Sequence, residues 1–400
     1  MPTSHRLVLP RLVELGAGAI AQIAPMLASL GCHRPLIVTD RMMVELAYVA
    51  RLTEPLEAAG IEYAVFADTQ PEPTESSIMA GVEMLRQGLS SGEFDCLIAL
   101  GGGSPIDSAK AIGVLGSFGG QMRDYKVPRD VSEAGLPLIA IPTTAGTGSE
   151  VTRFTIITDD QTDEKMLCAG TAFMPVAALV DFDLTMSVPP RVTADTGIDA
   201  LTHAIEAYVS RKANLYSDQQ ALAAMRLIAP NLRTAYHHPE DRAAREAMML
   251  GAHLAGVAFS NASVALVHGM SRPIGAFFHV PHGLSNAMLL PTVTEFSIPS
   301  AAERYADCAK AMGVAEAGED IDMANQRLLA ELTALNEELQ VPTPAEFGIA
   351  EADFMSHLTV MAEQAQASGS PSNNPRQPTI DEMVALYRKV WEARTPGVVA

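Results

Sequence analysis

The sequence predicts an α/β domain followed by an all-helical domain. In the first half, short β-branched runs alternate with helical patterns, which is typical of a parallel sheet with helices on both faces. In the second half these runs disappear, Ala, Leu and Met become frequent, and apolar residues recur at helical spacing. We place the boundary at Pro189-Pro190, so that the predicted domains are residues 1–189 and 190–400.

Each predicted strand of the first domain is a short apolar run that ends in a turn. The six runs are residues 36–40, 64–67, 96–104, 138–146, 154–159 and 177–183. Helical spacing predicts helices across 42–59 and around 76–88, and a further helix after the glycines at 101–103. Two apolar runs at 7–10 and 12–16 predict a small hairpin at an edge of the sheet.

The second domain is predicted to be helical to its end. The segment GIDALTHAIEAYVS, residues 197–210, is predicted to be the amphipathic start of a helix. A polar segment containing Pro and Gly, residues 367–379, is predicted to be a loop, and residues 380–393 are predicted to form the last helix.

Composition argues against several classes of protein. The 400 residues carry 27 Lys and Arg against 47 Asp and Glu, a net charge of −20, and such a surface repels the phosphates of nucleic acid. No run of eighteen uncharged apolar residues occurs, so we expect no membrane span. The N-terminal segment lacks the layout of a signal peptide. Four scattered cysteines without a CxxC pair predict free buried thiols in a reducing compartment, the cytoplasm.

The segment GGGSPIDSAKAIG, residues 101–113, follows a predicted strand and opens a predicted helix. Three successive glycines allow the backbone to approach a ligand closely, and the N–H groups at a helix N-terminus can hold a diphosphate. The spacing matches neither G-x-G-x-x-G nor a P-loop. The alternative is an ordinary glycine-rich turn between a strand and a helix.

A second cluster of Gly, Ser and Thr, PTTAGTGSE at 142–150, also follows an apolar strand. Two such loops at one edge of a parallel sheet form a crevice of the kind that binds dinucleotides in Rossmann-like domains. A carboxylate at Asp40 can accept hydrogen bonds from a ribose diol and repels a 2′-phosphate, which favours NAD over NADP. Capping of the following helix is the alternative role of Asp40. Lys165 either reaches the ribose or nicotinamide or is an exposed lysine in a hairpin.

Two pairs of residues in the second domain suggest one metal site. Asp199 and His203 are four residues apart, which places both side chains on one face of a helix. His268 and His282 are fourteen residues apart, and His282 lies in a Pro-His-Gly turn. Three imidazoles and one carboxylate suit Fe(II) or Zn(II) better than Mg(II) or Ca(II), which prefer oxygen ligands. Taken singly, each histidine could equally be an ordinary residue of the core.

Four motifs in this order, GGGSPIDSAK, PTTAGTGSE, DALTHAIEAYVS and HGMSRPIGAFFHVPHG, resemble those of the group III metal-dependent (iron-containing) alcohol dehydrogenases. The resemblance runs from about residue 6 to the last predicted helix. It implies a nucleotide domain and an all-helical domain, with the metal and the nicotinamide meeting between them. It implies that the metal ligands are Asp199, His203, His268 and His282. It implies that NAD(H) is bound by Asp40, Gly101, Gly102, Gly103, Ser104, Asp107, Thr143, Thr144, Thr147 and Lys165.

Two positions depart from the family's pattern. The family often has H-x-x-x-H at the third ligand, with the second histidine beside the substrate, and here that second position is Arg272. Arginine stays protonated and cannot relay a proton, but it binds a carboxylate or phosphonate through two hydrogen bonds. Arg272 therefore predicts an acidic substrate, such as a hydroxy acid or its semialdehyde, with an ion pair inside the protein as the alternative. Glu72 stands where the family commonly has Asn, in P-N-P-T, and this carboxylate further disfavours NADP.

The predicted activity is the reversible oxidation of an alcohol to an aldehyde or ketone with NAD(H), aided by Fe(2+) or Zn(2+) as a Lewis acid. His279 is the candidate for proton transfer, and Glu206 is expected to orient a ligand histidine. The alternatives are a lyase similar to dehydroquinate synthase, a metal-independent reductase of the same superfamily, and a non-enzymatic assembly protein. The apolar N-terminal edge predicts a homodimer or higher homo-oligomer through strand pairing.

Overall fold

The computed structural model describes residues 4–162 and 164–393, and the chain divides into two compact units between Ser187 and Val188. The first unit contains a parallel sheet with helices, and the second contains helices without a strand in its described part, 188–393. This architecture confirms the predicted fold class. The outer ends of the two predicted domains, 1–3 and 394–400, lie outside the described residues.

The first unit holds a six-stranded parallel sheet and a separate two-stranded antiparallel sheet. The strands are β1 (Leu12–Leu15), β2 (Pro35–Val38), β3 (Ala64–Phe66), β4 (Cys96–Gly101), β5 (Leu138–Pro142), β6 (Phe154–Thr158), β7 (Lys165–Ala169) and β8 (Ala177–Val180). The order in the parallel sheet is β1-β8-β5-β4-β2-β3. Strands β2, β4, β5 and β8 are buried along their whole length, which explains why their apolar runs are continuous and not alternating.

Five α-helices accompany this sheet in its described part. They are α1 (Ile23–Leu30), α2 (Arg41–Glu45), α3 (Tyr48–Ala58), α4 (Glu75–Ser91) and α5 (Gly103–Phe118). Successive strand residues point to opposite faces, so Leu36 packs in one core with residues of α4 and α5, whereas Ile37 packs in a second core with residues of α1 and α3. The sheet is thus covered on both faces, as its sequence predicts.

The chain reverses its direction of travel across the sheet between β2 and β4. From β2 it moves outward to β3, and after α4 it returns to β4 on the other side of β2 and continues to β5 and β8. Loops at the carboxyl ends of β2 and β4 therefore diverge to opposite faces and leave a crevice between them, the usual ligand site of such sheets. Asp40 and Gly102 follow these two strand ends.

Three predictions about the first unit are wrong in detail. No hairpin forms among the described N-terminal residues, because Leu12–Leu15 pairs in parallel with β8. Residues 154–158 do not join the parallel sheet but form the antiparallel hairpin with β7, with alternating burial along the strand. The predicted helix over 42–59 is two helices, because Ala47 between α2 and α3 has a left-handed φ of 59°.

Nine α-helices form the described part of the second unit. They are α6 (Pro190–Val209), α7 (Leu215–His237), α8 (Arg242–Ala262), α9 (Leu266–Phe278), α10 (His282–Ser297), α11 (Ala302–Ala311), α12 (Ile321–Glu338), α13 (Glu351–Ala367) and α14 (Ile380–Glu392). Helix α6 begins with Pro at its first position, seven residues before the predicted start at 197. It is not amphipathic over 197–209 but buried all round, because its polar side chains face a polar cluster within the unit.

The predicted loop at 367–379 contains one turn of 3-10 helix, Ser370–Asn373, and leads into α14 as expected. All four cysteines are free and buried, which confirms the prediction of free buried thiols. Within the described ranges no single helix has the length and apolar character to cross a membrane. Helices α8 and α9 have that length and apolar character only when they are taken together, and the chain bends by 103° between them.

Candidate active site

Helices α6, α9 and α10 bring the four predicted metal ligands together in the second unit. Asp199 and His203 lie one turn apart on α6, His268 lies in the first turn of α9, and His282 is the first residue of α10. One ligand atom from each residue lies within 4.8 Å of those of the other three. Two pairs that are 65 or more residues apart in the sequence thus converge on one point.

The spacing of these atoms is close to that of ligand atoms around a single ion. Oδ1 of Asp199 lies 3.3 Å from Nε2 of His268 and 3.8 Å from Nε2 of both His203 and His282. Ligands at the usual 2.0–2.2 Å from zinc would be separated by about 3.3–3.6 Å in a tetrahedron. The donor set, with its nitrogen atoms and one carboxylate, therefore fits Fe(II) or Zn(II) in both chemistry and size.

Glu206, one turn after His203 on α6, holds His268 in position from behind. Its Oε2 accepts hydrogen bonds from Nδ1 of His268 at 2.6 Å and from the backbone N–H of Ala265 at 3.0 Å. Its Oε1 accepts from the N–H of Val267 at 2.6 Å. Because Nδ1 is engaged by this carboxylate, Nε2 is the ring nitrogen of His268 that faces Asp199 and the other ligands.

Burial and the neighbouring imidazoles set the charge of this cluster. Burial opposes ionisation of Asp199, but the imidazoles of His203, His282 and His268 outweigh it and hold the pKa of the carboxyl well below its usual range. Burial likewise acts against the charged form of His268, but hydrogen bonds to Asp199 and Glu206 leave its pKa raised. The cluster therefore carries a carboxylate that is ionised at neutral pH and is ready to bind a cation.

A fifth polar side chain, Asn286, lies among the ligands. It is completely buried on α10, one turn after His282. Its Nδ2 lies 2.8 Å from Oδ1 of Asp199, 3.2 Å from Nε2 of His268 and 3.3 Å from Nε2 of His282. Sequence analysis missed this residue, although its spacing of four from His282 repeats the spacing of Asp199 and His203.

Arg272 lies one turn after His268 on α9 and therefore on the same side of that helix. Its Nη1 donates to Oγ of Ser370 at 3.0 Å, and its Nε is buried without a hydrogen-bond acceptor. Burial lowers the pKa of Arg272 to about 10, which Glu206 partly opposes, so the guanidinium is charged at neutral pH. Among the described residues no carboxylate forms an ion pair with it, and its part in substrate binding stays a prediction.

His279 ends α9 with a left-handed φ of 53°, and its side chain is exposed. Its predicted part in proton transfer stays a prediction.

The two glycine-containing loops of the first unit meet at the carboxyl ends of β4 and β5. Gly101 pairs with Pro142 at the end of these strands. A Cβ added at Gly103 would lie 2.9 Å from Cγ2 of Thr147, so only glycine allows the loops this close approach. Thr144 packs in the same way beside Gly102, at 3.4 Å from such a Cβ. The N–H groups at the start of α5 thus open beside the threonine loop, as a diphosphate seat requires.

The remaining predicted cofactor residues make contacts within the protein. Asp40 caps α2 by accepting a hydrogen bond from the N–H of Met43 at 2.9 Å, which was the alternative role. Asp107 accepts from Oγ of Ser149 at 2.6 Å and from the N–H of Ile156 at 3.0 Å, so both its oxygens are engaged.

Lys165, on the hairpin strand β7, forms an ion pair with Glu72, whose own N–H lies 3.3 Å from Oγ of Ser104. The pair therefore lies beside the glycine loop. The contacts of Asp40, Asp107 and Lys165 with a cofactor stay predictions.

Comparisons with known proteins agree with this arrangement. Residues 10–182 match the model of the family iron-containing alcohol dehydrogenase, and residues 193–391 match that of the Fe-containing alcohol dehydrogenase family, C-terminal. The chain belongs to the iron-containing alcohol dehydrogenase family. The chain is an NAD(H)-linked oxidoreductase of alcohols and aldehydes, with iron as the metal of its family.

Three relatives illustrate the range within this family. The chain is 42% identical over 398 residues to long-chain-alcohol dehydrogenase 1 of Geobacillus thermodenitrificans (strain NG80-2), covering 98% of each chain. It superposes on a crystal structure of 1,3-propanediol oxidoreductase with a TM-score of 0.91, 34% identity, and 97% and 100% of the two chains covered. For sulfoacetaldehyde reductase from Bifidobacterium kashiwanohense, solved with NAD⁺, the TM-score is 0.86, the identity 26% and the coverage 98% and 100%.

Proposed function

We propose that this iron-containing alcohol dehydrogenase acts on alcohols that carry a carboxylate or another anionic group, and on the corresponding aldehydes. Arg272 binds the anionic group, and Asp199, His203, His268 and His282 hold the metal. The first unit, within residues 1–189, binds NAD(H), and the helical unit, within 190–400, holds substrate and metal. When bound, the ion supplies Lewis acidity toward the substrate oxygen, and the nicotinamide supplies the hydride chemistry.

The single observation that carries the substrate class is the state of Arg272. Among the described residues its buried Nε has no acceptor and its one hydrogen-bond partner is the neutral Ser370, while Glu206 acts on the guanidinium without a direct contact. A buried cation without a directly bonded counter-ion is costly unless a ligand supplies one. A carboxylate accepting two hydrogen bonds from the planar guanidinium would satisfy Nε and a terminal nitrogen together.

The position of Arg272 supports the same role. It follows His268 by one turn of α9, so a group bound to it lies on the side of the helix that carries a metal ligand. The side chain cannot take part in proton transfer, because arginine stays protonated. Arg272 therefore orients the substrate without moving a proton, and we propose that the proton leaves by way of His279 or solvent.

The relatives favour two different substrate classes. Sulfoacetaldehyde reductase is named for an anionic substrate, in agreement with an arginine anchor. Long-chain-alcohol dehydrogenase 1 is named for long-chain alcohols and makes alcohols without an anionic group the second candidate. The two candidates differ in whether the charge of Arg272 contributes to kcat/KM.

A matched pair of substrates tests this difference. We compare kcat/KM for 4-hydroxybutanoate and butan-1-ol in the unaltered enzyme and in Arg272→Met, which keeps an unbranched side chain without charge. Two charge-assisted hydrogen bonds contribute about 3 kcal/mol, so we expect kcat/KM to fall about 100-fold for the hydroxy acid. For the neutral alcohol we expect a change of less than about threefold.

Two further variants separate charge from packing. Arg272→Lys retains the charge but not the planar guanidinium with its parallel donors. Its kcat/KM for the hydroxy acid should therefore lie between those of the unaltered enzyme and Arg272→Met, with no such difference for the neutral alcohol. Ser370→Ala removes the one neutral partner and should leave the ratio of the two substrates nearly unchanged. An equal fall for both substrates in Arg272→Met would contradict the anchor and favour neutral alcohols.

A further inference from the structure

Asn286 is placed to control one ligand of the metal centre. Its side chain is fully buried, and its Nδ2 faces Asp199, His268 and His282 at 2.8, 3.2 and 3.3 Å. Since a carboxylate oxygen only accepts hydrogen bonds, the atom of the amide that faces Asp199 must be the nitrogen. Asn286 therefore donates to Oδ1 of Asp199 and contributes no ligand atom in this orientation.

The oxygen that receives this hydrogen bond is also the one that faces the imidazoles. Oδ1 of Asp199 is the atom that lies 3.3–3.8 Å from the Nε2 atoms of the three histidines. A donor on this oxygen restrains the rotation of the carboxylate and favours the orientation in which Oδ1 faces the imidazoles. The carboxylate then offers one oxygen to an ion, although a free carboxylate can offer two.

Elements far apart in the sequence hold Asn286 in this place. It lies on the face of α10 that carries His282, while Asp199 comes from α6. Its Oδ1 is buried and has no hydrogen-bond partner, so the side chain gains no compensating contact there. Burying an amide with an unsatisfied oxygen costs free energy. The hydrogen bond that Nδ2 donates to Asp199 is therefore the contact that accounts for Asn286 at this position.

We propose that Asn286 is a positioning residue that keeps Asp199 a single-oxygen ligand and thereby leaves one coordination position open for substrate. The inference rests on the metal centre of the proposed function. A catalytic metal site needs one coordination position that no protein ligand fills, whereas in a structural metal site protein ligands fill every position. Residues that orient a ligand in this way commonly change metal affinity about 10–100-fold when they are replaced.

The test measures metal binding directly, with Co(II) and Zn(II) as probes. Asn286→Leu keeps the approximate volume without the donor, and Asn286→Ala removes both, so the pair separates packing from hydrogen bonding. We expect the Kd for Zn(II), measured by competition with a chelating dye, to rise about 10–100-fold in both. In both variants we also expect weaker d–d absorption of bound Co(II), because the second carboxylate oxygen of Asp199 would then join the ligands and raise the coordination number.

A matched control is available on α12. Asn325 is also buried, donates from Nδ2 to one acceptor, the carbonyl of Ala302, and has an Oδ1 without a partner. Asn325→Leu should lower thermal stability by a similar amount but leave the Kd for Zn(II) and the Co(II) spectrum unchanged. Far-UV circular dichroism of each metal-free variant reports whether the helical unit is folded.

The outcomes distinguish this inference from the proposed function. If the unaltered chain binds Zn(II) and Asn286→Ala shows the same Kd within twofold and the same Co(II) spectrum, Asn286 has no positioning role and the metal centre stands. An equal loss in Asn325→Leu would also overturn the inference. If the unaltered chain binds neither ion, the metal centre itself is wrong and the inference falls with it.

Discussion

Replacing Glu206 by Gln should weaken both the helical unit and its metal affinity, although Gln has the same shape. The carboxylate receives three donors: Nδ1 of His268 and the backbone N–H groups of Ala265 and Val267. A Gln amide has one oxygen and one NH₂, so at least one of the three donors would face another donor. The carboxylate is buried, and water cannot take over the lost hydrogen bond.

The magnitude follows from this count. One lost hydrogen bond to a charged acceptor and one unsatisfied buried N–H together cost about 3 kcal/mol. We therefore expect Glu206→Gln to lower the free energy of unfolding of the metal-free helical unit by about 3 kcal/mol in urea denaturation followed by circular dichroism. Without its fixed tautomer, His268 should bind metal about 10–100-fold more weakly.

Glu363→Gln, an exposed change of the same chemistry on α13, is the control and should change neither quantity. The reasoning is refuted if Glu206→Gln unfolds within about 0.5 kcal/mol of the unaltered chain and binds Zn(II) with the same Kd, because the three hydrogen bonds would then contribute nothing.

Three more predictions concern other parts of the chain. Glu72→Asn removes the ion pair with Lys165 beside the glycine loop. We expect this variant to bind NADH more tightly, with a Kd about 2- to 5-fold lower in a fluorescence titration. An unchanged or higher Kd would contradict this. Gly283→Ala places a Cβ 2.3 Å from the carbonyl oxygen of Asp195, so the adjacent metal ligand must move, and the Kd for Zn(II) should rise at least about tenfold. Burial lowers the pKa of Lys110 from 10.5 to about 8, so between these pH values the unfolded chain binds more protons than the folded chain. The free energy of unfolding of the unaltered chain, relative to that of Lys110→Met, should therefore rise with pH by up to about 3 kcal/mol. A fall with pH would contradict this.

The four central strands of the parallel sheet could be predicted because each is a buried apolar run, but the pairing of strands could not. Leu12–Leu15 looked like half of a hairpin because a second apolar run stands close to it, whereas its partner is β8, more than 160 residues away. Residues 154–158 form a β-branched run with two threonines, and in the structure their burial alternates as they pair with β7 in a hairpin. Apolar character predicts a strand but carries no information about its partner.

The metal ligands could be predicted because their motifs are local and match a known family, whereas the residues that position them could not. Glu206 was expected to orient a histidine, but the choice of His268 depends on how α6 and α9 pack. Ser370 gave no signal, and the spacing of Asn286 from His282 did not identify its partner Asp199, which is distant in the sequence. Their roles follow from tertiary contacts alone.

The central claim is that a carboxylate and three imidazoles share one cation. Anomalous X-ray scattering from crystals grown with Zn(II) locates that ion directly. The account predicts one strong peak in the helical unit, about 2.0–2.2 Å from Oδ1 of Asp199 and from Nε2 of His203, His268 and His282. A peak elsewhere, or no peak with these four side chains turned away from one another, would contradict it.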